Sequence, residues 1–443
     1  MANALVTQCL LQGICLCASY YYPDAKLEGD SCLGSVPTYQ QFGTLTDYNV
    51  VIKPYLNETT EPISVPDGCR PSLFYLFQRH TLRYPPAAHI QESHVLLRET
   101  QRKLRDKRRK SKMCNTDVEA ILAWESTFFV ENGHQVTAPG EAVVRQQVQR
   151  LRTRFPSVFG HRDKLERLVV DFSPKGNRTR DTAHQFLQEW FGQETFQSKV
   201  ERLANVNNIT VFHSTCKAIM KNHGVTVTSP NSELLLNGKL YKKFKKTLEK
   251  RLGFDISTRH VKAILRQCRY EVTTYGASPW CALVGEEELQ FAELLDDASV
   301  FDQDSYGQSR NKMAACPVAI DILQQIRNLT QEDVELPKVV PRFSHDGAIK
   351  RIVTLLGLGR SEEPAIDCRQ RSWWSYRWSP FNANVNIVHF SCPKPEQNRV
   401  ALLINEKLEH LPGCKEQLCT VKEVEDLLQP KADRCDLETI CSN

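Results

Sequence analysis

Three short segments hold residues whose types suit chemistry on an anion: Arg79, His80 and Arg83; Arg178; and His345 with Asp346. Each follows an apolar run of strand length, at 73–77, 168–172 and 339–343. In α/β sheets, ligands collect at the carboxyl ends of the strands. Converged there, the three segments make a pocket of three guanidiniums, two imidazoles and one carboxyl. A guanidinium is a planar fork that pairs with phosphate through two hydrogen bonds. An imidazole nitrogen can attack phosphorus and form a covalent phosphohistidine, splitting one difficult displacement into two. A carboxylic acid can protonate the leaving alkoxide. Three guanidiniums neutralise a transferring phosphoryl group with no metal and no other cofactor. Taken singly, an Arg-His dipeptide or a His-Asp pair is ordinary strand-end or capping chemistry, so the reading rests on all three together.

The elements that must position these residues read as an α/β sheet with helical cover. The unbroken apolar runs suit strands buried on both faces. Residues 385–390 and 400–404 add two later strands, the first of alternating pattern. Helical periodicity covers 89–112, 117–132, 139–155 and 179–191; in the last, Ala183, Phe186, Leu187 and Trp190 share a face. Between 195 and 335 helical patterns recur at 198–203, 215–221, 239–252, 257–268, 286–295 and 313–327, with no internal repeat. The expected layout is an α/β core from about 45–90, 150–192 and 336–430, with a mainly helical lobe from about 91–149 and 193–335. Residues 20–68, rich in Pro, Gly and polar types, read as an extended lead-in.

With 57 Lys and Arg against 52 Asp and Glu, the 443-residue chain carries +5. That is far from the excess of a dedicated nucleic-acid binder and suits a small polyanionic substrate. The cations are uneven: Arg102, Lys103, Arg105, Lys107, Arg108, Arg109, Lys110 and Lys112 crowd one short stretch. This stretch reads as a solvated helix face, with steering of a polyanion as the alternative. Residues 1–19 read as a signal peptide, an apolar core from Ala4 ending in Ala18-Ser19, with a buried first helix as the competing reading. No other segment has the roughly 20 apolar residues of a membrane span. The C-terminal residues carry no endoplasmic-reticulum retention tetrapeptide and no lipid-anchor tail. Three of the 16 cysteines fall in that leader, and the other 13 have no zinc-type spacing. Disulfides in an exported chain are the better reading, and the odd count leaves at least one free thiol or an intermolecular partner. Acceptor sequons at Asn57, Asn208 and Asn328 fit the same route, whereas Asn177 overlaps the candidate site and is expected to be unmodified.

Arg79-His80-Thr81-Leu82-Arg83-Tyr84-Pro85 resembles the R-H-G-x-R-x-P signature of the histidine acid phosphatases. Residues 178–183 are similar to that family's second arginine motif, and Phe343-Ser344-His345-Asp346 to its His-Asp motif. Arg154-Phe155-Pro156, Ser278-Pro279-Trp280-Cys281 and residues 380–384 resemble the branch that holds phytases and multiple inositol polyphosphate phosphatases. The likeness spans about residues 40–440. It implies a histidine-phosphatase-like, doubly wound mixed sheet and hydrolysis of phosphomonoesters of inositol polyphosphates. The alternatives are a broad-specificity acid phosphatase and a catalytically weak polyanion-binding relative. In this resemblance His80 is the nucleophile, Asp346 the proton donor, and Arg79, Arg83, Arg178 and His345 the phosphate ligands. The resemblance also implies disulfides Cys69–Cys392, Cys268–Cys281 and Cys414–Cys419, with Cys216 paired to Cys435 or Cys441. Two departures stand out. Thr81 occupies the signature glycine's place, where a β-branched residue is expected to slow turnover or shift the loop. His345-Asp346-Gly347 stands where the animal inositol phosphatases carry His-Ala-Glu, which leaves the placement of the acid open.

Overall fold

The computed structural model describes residues 32–160, 168, 170–174, 176–192, 208–216, 229–361 and 371–442. The leader 1–19, the helical pattern at 198–203, most of that at 215–221, and the side chain of Asn208 lie outside the described residues.

One mixed sheet organises the chain. Its strands are β1 (Arg70–Arg79), β2 (Asp171–Phe172), β3 (Lys338–Ser344), β4 (Asn384–Ser391), β5 (Arg399–Ile404), β6 (Lys407–Glu409) and β7 (Cys419–Thr420). Their order is β2-β3-β1-β4-β5-β6, with β7 beside β5. β1, β2 and β3 are parallel, and every other pairing is antiparallel. The ten main helices are α1 (Ala87–Asp106), α2 (Asn115–Ala123), α3 (Ala138–Arg154), α4 (Asn177–Phe191), α5 (Lys239–Leu252), α6 (Thr258–Tyr275), α7 (Glu286–Asp304), α8 (Cys316–Arg327), α9 (Asp346–Leu355) and α10 (Val421–Asp433).

The period-two alternation of strand side chains splits β1 between two cores. Leu73, Tyr75 and Phe77 pack with apolar residues of α8, α9 and α10. Phe74 and Leu76 pack with Val144, Val148 and Leu151 of α3 and Phe186 and Leu187 of α4. Residues of α1, α2, α5, α6 and α7 gather around Trp280 in a third core. Thus α3 and α8 cover the sheet, although the sequence pattern groups both with the helical lobe. The sheet is also tied by buried ions: Arg342 of β3 pairs with Asp171 of β2 and Asp321 of α8, and Asp321 accepts from Tyr75 of β1 at 2.9 Å.

Two stretches differ from the sequence expectation. The helix expected over 117–132 stops at Ala123, because Trp124 turns extended and donates its indole N–H to Glu271 at 2.8 Å. The extended run then carries Phe128 against Tyr84 and Tyr270. The lead-in is not merely extended: Tyr48–Ile52 is helical, and Tyr48 is buried and bonded to Glu406 at 2.8 Å.

Six disulfides close the fold: Cys32–Cys114, Cys69–Cys392, Cys216–Cys441, Cys268–Cys281, Cys316–Cys435 and Cys414–Cys419. Among the described residues, no helix is long and apolar enough to cross a membrane.

Candidate active site

Strand register delivers the functional groups to one end of the sheet. Arg79 of β1 is level with Ser344 of β3, and the His80 amide donates to the Ser344 carbonyl at 3.0 Å. His80 and His345 each sit one residue beyond a strand, so they leave the sheet side by side with rings 5.5 Å apart. β2 ends level with Phe343, and the chain turns through Gly176 into α4, whose first turn carries Arg178. Gly176 has φ +85°, and a Cβ there would meet the Arg178 guanidinium at 2.6 Å. Both facts call for glycine. Antiparallel β4 begins at this same end, where the Asn382 amide donates to the His80 carbonyl at 3.1 Å.

The approach to β4 contributes Phe381, a fully buried ring that links three of the candidates. The Arg79 guanidinium lies 4.5 Å from its centroid, that of Arg83 lies 6.0 Å away, and the His80 ring is also at 6.0 Å. The two guanidiniums are at cation–π distances, and the His80 contact is a tilted ring pair. Arg79 is fixed further by donating to the Thr44 and Ser379 carbonyls at 2.5 and 2.8 Å. Arg83 donates to the Tyr84 carbonyl at 2.8 Å and to the Tyr270 hydroxyl at 3.2 Å. Among the described residues, the Nε atoms of Arg79, Arg83 and Arg178, and both ring nitrogens of His345, are buried with no protein partner. Buried donors left without partners are costly, and a cluster of them marks an anion site.

His80 is prepared as a nucleophile. Its Nδ1 lies 2.9 Å from the Thr81 carbonyl. A carbonyl only accepts, so the proton sits on Nδ1 and Nε2 keeps its lone pair. Burial, then Arg79, Arg83 and Arg178, push the His80 pKa well below its usual range, so the ring is neutral. Burial and the Arg178 charge likewise lower His345, to about 2. The cations also strain one another. Burial lowers Arg79 to about 10, Asp346 opposing and Arg83 reinforcing the shift; burial and Arg83 do the same to Arg178.

Thr81 fits at the signature glycine's position without backbone strain. Its φ is not positive. The Thr81 amide donates to the Thr182 hydroxyl of α4 at 3.1 Å, and its own hydroxyl donates to the Gly140 carbonyl of α3 at 2.8 Å. Thr182 in turn donates to the Arg178 carbonyl at 2.7 Å. The loop after His80 is thereby bound to both helices on its side of the sheet.

Asp346 opens α9 and lies at the cavity wall beside Lys350, whose ammonium is 3.1 Å from it and 2.5 Å from Asp304. Burial alone would raise the Asp346 pKa. Lys350 and Arg79 outweigh it and hold the carboxyl well below the usual range.

The site opens into a cavity of about 790 Å³ whose walls include Arg178, His345, Asp346, His89, His213, Lys262, Arg266 and Arg269. Arg79, His80 and Arg83 are not among its walls; the His80 ring lies 5.5 Å from that of the wall residue His345. All six candidates are thus brought together. The sequence reading missed Phe381, Tyr270, Thr182, Lys350 and His213. The apolar-breaker run at 380–384 was a signal for Phe381, whereas nothing local marked Lys350 or His213. His213 packs edge-on to His345 at 5.3 Å.

Comparison with known proteins places the chain in a family. The model of the histidine phosphatase superfamily (branch 2) matches residues 75–405. Multiple inositol polyphosphate phosphatase 1 of Drosophila melanogaster is 24% identical over 414 residues, covering 89% of this chain and 86% of that protein. The crystal structure of the phytase from D. castellii superposes with a TM-score of 0.68 at 17% identity, covering 93% of this chain and 86% of that one. The phosphate complex of the Bifidobacterium longum multiple inositol polyphosphate phosphatase also gives 0.68, at 14% identity, covering 89% and 98%. Both likenesses describe the fold. Because the family model spans most of the chain, from the middle of strand β1 to the end of β5, the chain belongs to the histidine phosphatase superfamily, branch 2.

Proposed function

We propose that this chain hydrolyses phosphomonoesters of inositol polyphosphates through a phosphohistidine on His80. The supporting observation is a neutral imidazole, proton fixed on Nδ1, set among three guanidiniums and beside His345 of the cationic cavity wall. The His80 Nε2 lone pair attacks phosphorus as the ester P–O bond breaks, and Asp346 gives its proton to the departing alkoxide. Water then attacks the phosphohistidine; Asp346 takes up a proton from it, and His80 leaves as the free imidazole. Arg79, Arg83, Arg178 and His345 hold the phosphoryl oxygens throughout. Lys262 and Arg266 on α6 supply cationic walls for the phosphates that do not react.

The acid must be protonated to act. In the free site Lys350 and Arg79 keep Asp346 ionised, against burial. A phosphate dianion paired to the arginines opposes their effect and raises the proton affinity of Asp346, so the rate climbs toward acid pH. His80→Ala is expected to abolish phosphate release from inositol hexakisphosphate, and acid-labile label on His80 should appear when parent enzyme is quenched during turnover. Unchanged turnover in the variant overturns the mechanism.

Export of the mature chain belongs to the same reading. Six disulfides and the sequons at exposed Asn57 and Asn328 support it. The check is the N-terminus of secreted protein, expected near residue 20, and a mass shift on glycosidase treatment.

A further inference from the structure

The +5 of the chain is not spread over it. Residues 102–112 and helix α5, 25 residues in all, hold 15 of the 57 Lys and Arg and two of the 52 Asp and Glu. These two segments therefore carry +13, and the rest of the chain −8. They are distant in sequence and adjacent in space. The Lys112 amide and the Ser111 hydroxyl both donate to the Arg251 carbonyl, at 3.0 and 2.7 Å. Gly253 sits against the backbone of Lys110, and the Lys107 ammonium lies 6.0 Å from the Phe254 ring.

The joined surface is built to face water as a cationic sheet. Arg102, Arg105, Lys107, Arg108, Arg109, Lys110 and Lys112 are exposed, as are Lys239, Lys242, Lys243, Lys246 and Lys250. Their apolar neighbours Leu104, Tyr241, Phe244, Leu248 and Leu252 all point into the core. Ion pairs relieve part of this charge, among them Lys103 with Glu99, Arg108 with Glu119, Lys245 with Glu249 and Arg251 with Glu288. Lys239, Lys243, Lys246 and Lys250 follow helical spacing, so they form one stripe about 16 Å long at 1.5 Å per residue. None of the 15 lines the active-site cavity. Like charges at this density repel one another and cost stability, so a second use is required to account for them.

We propose that this face binds a linear sulfated polysaccharide. A stripe of point charges on a convex helix matches a chain with regularly spaced anions. The six disulfides fit an oxidising compartment, where such polymers rather than nucleic acids are found. Within the two segments no large apolar side chain is exposed, which disfavours a lipid surface, where apolar residues must insert.

The test is binding of the full chain to heparin at several salt concentrations. Six substitutions, Arg105, Arg109, Lys110, Lys242, Lys246 and Lys250→Ser, are expected to weaken binding about tenfold or more, since each exposed ion pair adds a little. The triple variant Lys242, Lys246 and Lys250→Ser should fall between it and the parent. Removing as many charges elsewhere, at Lys394, Lys415 and Lys422, should leave binding near the parent value. Hydrolysis of a small aryl phosphate should stay at the parent rate in all variants, which certifies their folding. Equal losses in the remote triple variant, unchanged binding in the six-fold variant, or abolition of binding by saturating inorganic phosphate each overturn the proposal. Sedimentation with phosphatidylserine vesicles in the absence of heparin binding would overturn it in favour of a membrane.

Discussion

At the residue scale the reactive groups divide by how they were recognisable. Arg79, His80, His345 and Asp346 stand out in sequence because they close an apolar run at the point where a strand must end, and Arg178 because it opens the helix after the loop that follows another such run. Lys350 does not, because its meaning comes from Asp304, which belongs to another helix. Asp346→Asn is expected to lower kcat on inositol hexakisphosphate about 100- to 10,000-fold, the usual worth of a general acid. The loss on 4-nitrophenyl phosphate should be much smaller, since that leaving group departs without a proton; equal losses would give Asp346 another role. Lys350→Met removes the cation that, with Arg79, holds the carboxyl down against burial. The Asp346 pKa then rises, its acid form persists to higher pH, and the alkaline limb of kcat/KM should move upward. Thr81→Val keeps the shape but removes the hydrogen bond to the Gly140 carbonyl, a loss of about 0.5–1.5 kcal/mol. Its kcat should fall with KM little changed, and Thr81→Ser should restore it. A valine variant with parental stability and kcat would show the clamp to be idle.

At the element scale the long strands and helices followed from their periods. α5 was legible to its last residue, because its apolar positions at Tyr241, Phe244, Leu248 and Leu252 repeat at helical spacing. β6 and β7 were not, since strands of three and two residues are too short to show a period. The placement of α3 was also hidden. Its apolar face says that it packs, and not against which partner; the close approach of Gly140 settles that. A Cβ on Gly140 would lie 2.5 Å from the Leu82 carbonyl, in the loop that follows the nucleophile. Gly140→Ala must therefore push that loop away from α3. We expect a drop in kcat well beyond the stability change, read by comparing initial rates with the denaturation midpoint.

At the scale of the whole molecule, the cationic site makes the empty enzyme sensitive to acid. His80 and His345 resist protonation in the fold because of burial and the arginines, while unfolded histidine titrates near ~6.5. Below that value the unfolded chain binds protons that the fold refuses, so stability falls as pH falls through the window beneath about 6.5. Phosphate among the arginines cancels part of the cause. It should therefore raise Tm more at pH 5 than at pH 7.5; an equal shift at both would refute the coupling. Glu293 and Asp297, raised by burial to about 7 and about 6, act in the opposite sense, but equally with and without phosphate. The position of β1 between β3 and β4 has a consequence in time. The nucleophile's strand leaves the ribosome early, and both of its neighbours come from the last quarter of the chain. Until then a strand greasy on both faces has no partner, and Cys69 waits for Cys392 while other thiols are within reach. Folding of this chain should therefore depend on a holding chaperone and on thiol exchange. Refolding from the reduced, denatured state should be slow, and a disulfide isomerase should raise its yield more than a prolyl isomerase does.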